Sequence, residues 1–148
     1  MKKTRMNRAL LFILCMVLLA AAALFATGCS NNAEEEYEPV TITAKNGDVL
    51  GEGANQFTFT VVDGEGNETT VTVNTDKTVV GEALQELNLI AGDEGDYGLY
   101  VKEVMGIRAV YEENSTYWAF YINGEYGMSG VDKTDIEAGA SYALKVEK

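Results

Sequence analysis

The chain contains no histidine. It therefore has no imidazole base poised near neutral pH, no Ser-His-Asp triad and no histidine-ligated metal site. Cysteine is almost as scarce, with Cys15 and Cys29 the only two. Beyond residue 29 there is no thiol. A disulfide, a thiolate metal centre and a cysteine nucleophile are excluded from that part. Basic residues are few and unevenly placed. Lys2, Lys3, Arg5 and Arg8 fall within the first 28 residues, which leaves 7 Lys+Arg against all 23 Asp+Glu and a formal charge of −16 beyond them. Such a surface repels nucleic acid and anionic head groups. It suits a module kept in solution, or one that meets cations or basic partners. The glycines are scattered in turns, and none of them forms a phosphate-binding or dinucleotide-binding motif.

The start of the chain differs from the rest. After the basic residues comes an apolar run without charge from Ala9 to Phe25, then Ala26-Thr27-Gly28-Cys29. A charged start, an apolar run and small residues form a secretion signal of bacterial type. The run is slightly short for a membrane span, which needs about 20 apolar residues. Small residues before a cysteine resemble the lipobox of bacterial lipoproteins, with Ala26 where leucine is usual. The resemblance implies cleavage before Cys29, lipidation of Cys29, and a protein held on the outer face of the bacterial cell membrane. An uncleaved anchor and ordinary cleavage after Gly28 are the alternatives.

The 148 residues allow one domain after the signal. Residues 1–28 are expected to be the signal helix. Residues 29–55 are expected to form the lipidated cysteine and a flexible acidic tether, with a short hairpin at Val40–Ala44 and Val49–Leu50 as an option. Residues 56–148 are expected to fold. Phe57–Val62 and Thr69–Asn74 alternate as strands around the turn Asp63–Asn67. Thr78 is placed to cap a helix whose face is Val80, Ala83, Leu84 and Leu87, with Gly81, Glu82, Gln85 and Glu86 outward. Asn88 can end it in the left-handed conformation, with Leu89 folding back. Ala91–Gly98 reads as an acidic loop, Leu99–Met105 as a strand bent at Gly106, and Glu112–Thr116 as a polar loop. Ser141–Val146 reads as the last strand, with Tyr142, Leu144 and Val146 on one face.

The densest aromatic stretch is Tyr117–Ile122. Trp118, Phe120 and Ile122 alternate with Tyr117, Ala119 and Tyr121, so the two sets face opposite sides of a strand. Asn123-Gly124 supplies the two positive-φ positions of a tight hairpin turn, and Glu125-Tyr126 begins the return. The predicted class is α+β, one helix laid on one sheet.

This order of elements resembles a known bacterial family. The likeness is carried by Thr78-Val79-Val80-Gly81-Glu82-Ala83-Leu84, by Gly106-Ile107 and by Tyr117-Trp118-Ala119-Phe120-Tyr121-Ile122-Asn123-Gly124-Glu125. The family is that of transcobalamin-like C-terminal domains, formerly a domain of unknown function. The resemblance implies a β-grasp-like sheet with one packed helix. It also implies kinship with the smaller domain of the cobalamin carriers, although the helical domain of those carriers is absent.

Two functions of different class follow. In the first, a lipid-anchored binding module holds a corrinoid or other small apolar ligand and passes it to a membrane transporter. Its candidate surface is Tyr117, Tyr121, Tyr126 and Met128, with Asn123 and Gly124 as hydrogen-bonding groups and Trp118 either on that surface or in the core. In the second, the chain is an interaction or envelope module without a small ligand, open to strand addition at a free edge. Acidic residues at Asp63–Asn67 and at Asp93, Glu94 and Asp96 read as solvated turns before they read as cation sites. No enzymatic activity, no metal and no resident cofactor is expected. Adjacent carboxylates such as Glu112-Glu113 point to opposite faces on a strand and stand solvated in a loop, so they do not pair for acid–base work.

Overall fold

The structure, a computed structural model, describes residues 37–40 and 42–148. The expected signal helix, Cys29 and the first part of the tether, residues 30–36, lie outside the described residues. The described part is α+β and dominated by strands.

A six-stranded mixed sheet runs β1 (Val49–Leu50), β3 (Glu68–Thr75), β2 (Asn55–Val62), β9 (Ser141–Glu147), β7 (Tyr117–Ile122) and β8 (Glu125–Tyr126) in spatial order. β2 lies parallel to β9 and antiparallel to β3, and β9 lies antiparallel to β7. A second, three-stranded antiparallel sheet consists of β4 (Ile90–Gly95), β5 (Gly98–Val104) and β6 (Ile107–Arg108). Helix α1 (Val80–Glu86), the one-turn helix α2 (Tyr111–Asn114) and a 3-10 turn at Val131–Lys133 complete the fold.

The register carries the alternating pattern of each strand into the sheet. Phe59 lies opposite Tyr142, Val61 opposite Leu144, Phe57 opposite Val73 and Phe120 opposite Leu144. Paired residues share a face, so the apolar members of four strands form one surface. Val80, Ala83 and Leu84 of α1, with Ile90, Val101 and Val104 of the small sheet, complete the same buried cluster. Tyr142 is the largest fully buried side chain among the described residues. Its ring meets Phe57 edge-on at 5.2 Å and stacks on Phe120 at 6.1 Å. Its hydroxyl accepts from the Glu137 amide at 2.9 Å and donates to the Asp135 carbonyl at 3.2 Å. A polar tip is thus satisfied inside an apolar layer.

Most expected elements are present, and three differ. Ala91–Gly98 is not a loop: Ile90–Gly95 pairs with β5, and Asp93 forms an ion pair with Lys102. Buried Ile90 and Ala91 supply the apolar anchor that its acidic composition hides. Glu112–Thr116 begins inside α2, which Ser115 ends in the left-handed conformation. Val49–Leu50 does not return on residues 42–44 but adds in parallel to β3.

The cap of α1 also differs. Thr78 makes no side-chain cap. The backbone does the work: the Val80 amide donates to the Thr134 carbonyl at 2.9 Å and the Ile136 amide to the Thr78 carbonyl at 2.7 Å. The segment after the 3-10 turn thereby satisfies an amide that would otherwise lack a partner. The helix end matches expectation, with Asn88 at φ 52° and the Leu89 amide on the Leu84 carbonyl at 2.9 Å.

Gly81 was expected to face outward and is instead buried under the 3-10 turn. A Cβ there would lie 2.9 Å from both Cα and N of Asp132. Alanine is about 1 kcal/mol better than glycine inside a helix. Overpacking against backbone costs about 1–3 kcal/mol and should win here. Gly81→Ala is therefore expected to lower the urea midpoint followed by circular dichroism. An unchanged or raised midpoint would show that the 3-10 turn yields freely.

Candidate functional site

The side of the large sheet away from the core carries the candidate site. Strand alternation puts Tyr117, Ala119 and Tyr121 of β7 on this side. The β7–β9 register brings Glu147 opposite Tyr117, Lys145 opposite Ala119 and Ala143 opposite Tyr121. The turn at Asn123 (φ 50°) and Gly124 (φ 85°) then folds β8 back, so that Tyr126 lies opposite Tyr121. Thr60 and Thr70 extend the same face across β2 and β3, joined by a hydroxyl hydrogen bond of 2.9 Å.

These side chains hold one another in place. The Tyr121 hydroxyl donates to Glu147 Oε1 at 2.5 Å, and the Tyr117 hydroxyl donates to Glu147 Oε2 at 3.2 Å. Both carboxylate oxygens are thus occupied. The Tyr126 ring stands edge-on to the Tyr121 ring, with centroids 5.6 Å apart and planes at 79°. The Lys145 ammonium lies over the Tyr121 ring, 4.4 Å from its centroid. This distance is within the range of a cation–π contact. Tyr117 and Tyr121 remain half-buried and Tyr126 is exposed.

The structure divides the sequence-derived residues. Tyr117, Tyr121 and Tyr126 come together. Trp118 faces the core and is 8 % exposed, and its buried indole N–H has no protein partner among the described residues. Asn123 uses its groups internally: its Oδ1 accepts from the Ser141 amide at 3.0 Å, and its amide donates to the Ser141 carbonyl at 2.7 Å. Gly124 serves the turn, with open space where a Cβ would stand. Met128 is fully exposed beyond β8. Lys145 and Glu147 were missed. Period two in the last strand puts them opposite Tyr142, Leu144 and Val146, but only the pairing of β9 with β7 shows what they meet.

A second concave region, about 270 Å3, lies where residues 43–44 approach the β2–β3 and β5–β6 turns. Val61, Met105 and Ile107 give it apolar walls, and Asp63 and Asn67 line its polar end. Asp63 is committed to its own turn. Its Oδ1 accepts from the Glu65 and Asn67 amides, each at 2.9 Å, and the Asn67 side chain, with these amides, holds its carboxyl below the usual range. Elsewhere Arg108 pairs with Glu113 and holds Tyr37 of the N-terminal arm. Glu112 of the adjacent carboxylates accepts from the Tyr100 hydroxyl at 3.4 Å, so the two carboxylates face different partners. Among the described residues no three His, Cys, Asp or Glu gather as a metal-holding group.

The Glu147 carboxylate also sets the chemistry of the phenols. Tyr121 is pushed above the ordinary tyrosine range chiefly by its hydrogen bond to Glu147. Tyr117 is pushed the same way by desolvation first and by Glu147 second. The folded state holds these protons more tightly than the unfolded chain. That contribution to stability is complete below about pH 10 and is lost as pH rises through the raised values. Glu147→Gln should therefore bring Tyr121 ionisation to lower pH in an ultraviolet titration, with a smaller change for Tyr117. A Tyr121 titration that Glu147→Gln leaves in place would remove Glu147 as its cause.

Residues 76–148 match the model of a family described as a domain of unknown function, DUF4430. A solved structure described as a candidate metal-binding protein from Ruminococcus gnavus aligns with a TM-score of 0.60 at 27% identity, covering 64% of this chain and 98% of that one. Haptocorrin in complex with Cbi aligns with a TM-score of 0.47 at 21% identity, covering 64% of this chain and 25% of that one. No curated protein matches the chain.

Proposed function

We propose that the chain is a binding module of the transcobalamin-like C-terminal family, lipid-anchored at Cys29 on the outer face of the bacterial cell membrane. In this reading residues 1–28 are the signal, residues 29–55 join the anchor to the fold, and residues 56–148 form the body of a β-grasp-like domain. The likeness to the Ruminococcus gnavus protein over nearly its whole length supports a common fold. The family match over residues 76–148 covers the helix, the aromatic hairpin and the last strand.

One observation carries the binding role. Three tyrosines gather on the side of the sheet that the core does not use. Exposed aromatic surface that packing does not require marks an interaction site. The face is open rather than enclosed, so a ligand would be held by stacking and by edge contacts. A corrinoid or another small, flat, partly apolar molecule fits that mode, and a membrane transporter would receive it. The metal-binding description of the Ruminococcus gnavus protein finds no gathered donor set among the described residues here.

A second reading, a protein-interaction module, is favoured by one feature. β8 pairs with β7 only across Tyr121 and Ile122, so the outer edge of β7 from Tyr117 to Ala119 lies beyond the reach of that ladder. Such an edge accepts an added strand.

Two experiments test the proposal. Calorimetric titration with cobalamin and its precursors should show saturable one-to-one binding that Tyr121→Ala weakens with the fold intact. No saturable heat up to about 1 mM ligand, near −4 kcal/mol, would remove the corrinoid. Cys29→Ser should abolish incorporation of labelled fatty acid and release the protein from the membrane. Retained label in that variant would overturn the anchor.

A further inference from the structure

The tyrosine face already holds a cation. The Lys145 ammonium lies over Tyr121, and among the described residues no carboxylate stands within 4.0 Å of it. Its attraction is to the ring and to the general negative field. Tyr121 and Tyr126, at 79° to each other, form two adjacent aromatic walls. Glu147 stands beside them as a charge, with one tyrosine hydroxyl already on each of its oxygens, which leaves it fewer sites for a further donor.

This combination selects among cations. A primary ammonium gives up hydrogen bonds to water when it enters a site and needs acceptors in return. The Glu147 oxygens here are already partly engaged by Tyr117 and Tyr121. A quaternary ammonium has no N–H to satisfy, and its methyl groups pack against ring faces while its charge meets their quadrupole. The formal charge of −16 beyond residue 28 draws any cation toward the surface. From these features we infer that Tyr117, Tyr121, Tyr126 and Glu147 form a binding site for a free small quaternary ammonium compound, with the Lys145 side chain as the built-in group that the ligand displaces.

The inference rests on the tyrosine face as the binding surface and names the ligand class for it. Lys145 then acts as an internal competitor. Its removal uncovers the Tyr121 ring and removes one positive charge, and both changes favour an external cation.

The test uses the full chain in non-ionic detergent micelles, with tyrosine-ring chemical shifts followed at constant ionic strength. The probes are choline, tetramethylammonium and 3,3-dimethylbutanol, the uncharged carbon analogue of choline. Saturable shifts at Tyr121 and Tyr126 are expected with both cations and not with the alcohol. Lys145→Gln should tighten choline binding several-fold, and Tyr121→Ala should weaken it about ten-fold, between the scales of an exposed and a desolvated cation–π contact. Equal binding of the alcohol would overturn the ammonium assignment and leave the face standing as an apolar site. Stronger binding of a lysine-rich peptide than of choline would overturn it in favour of a protein partner. No shift with either cation, in the wild type and in Lys145→Gln, would overturn it outright. The cobalamin titration then reads separately whether the face binds a corrinoid.

Discussion

The position of the last strand is the constraint on which the structure depends. β9 lies between β2, near the start of the described fold, and β7. It pairs in parallel with one and antiparallel with the other. A parallel neighbour cannot be made by a hairpin, so this pair closes only across the whole intervening chain. Tyr142 shows how the closure is secured. Its ring joins Phe57 on one side and Phe120 on the other, while its hydroxyl fixes the segment that reaches α1. The same strand serves both sides of the sheet. Tyr142 and Leu144 fill the core, and Lys145 and Glu147 organise the tyrosines opposite.

What the sequence revealed follows from the range of each interaction. Alternation in Tyr117–Ile122 and Ser141–Val146, the Asn123-Gly124 turn and the Asn88 helix end are local signals, and each appears where expected. Long-range contacts overrode local ones elsewhere. Gly81 resembles an outward helix position until the 3-10 turn lies over it. Thr78 resembles a cap until residues 134–136 pair with its backbone. Ile90–Gly95 resembles a loop because Gly92 and Gly95 are poor strand formers. The tight approach at Gly92, where a Cβ would lie 1.9 Å from the Tyr100 carbonyl oxygen, requires glycine inside this strand. The candidate site was half legible for the same reason. Its tyrosines come from one hairpin, whereas Lys145 and Glu147 arrive through a pairing between distant segments.

Trp118 and Tyr117 adjoin in sequence and belong to different worlds in the fold. Pleating sends Trp118 into the core and Tyr117 onto the open face. Trp118 belongs to the buried cluster with Phe120, Leu84 and Val61, so its emission responds to the integrity of that cluster. The tyrosines and Glu147 respond to what touches the open face. Loss of packing and changes at the open face therefore have separate reporters in this molecule. The separation follows from strand geometry alone: a side chain cannot leave one face for the other without a one-residue slip of β7, which would drive Tyr117 and Tyr121 into the core and expose Trp118 and Phe120. The cost of exposing those two apolar rings, together with Tyr142 stacked on Phe120, fixes the register. That register in turn keeps Glu147 beneath the tyrosine hydroxyls.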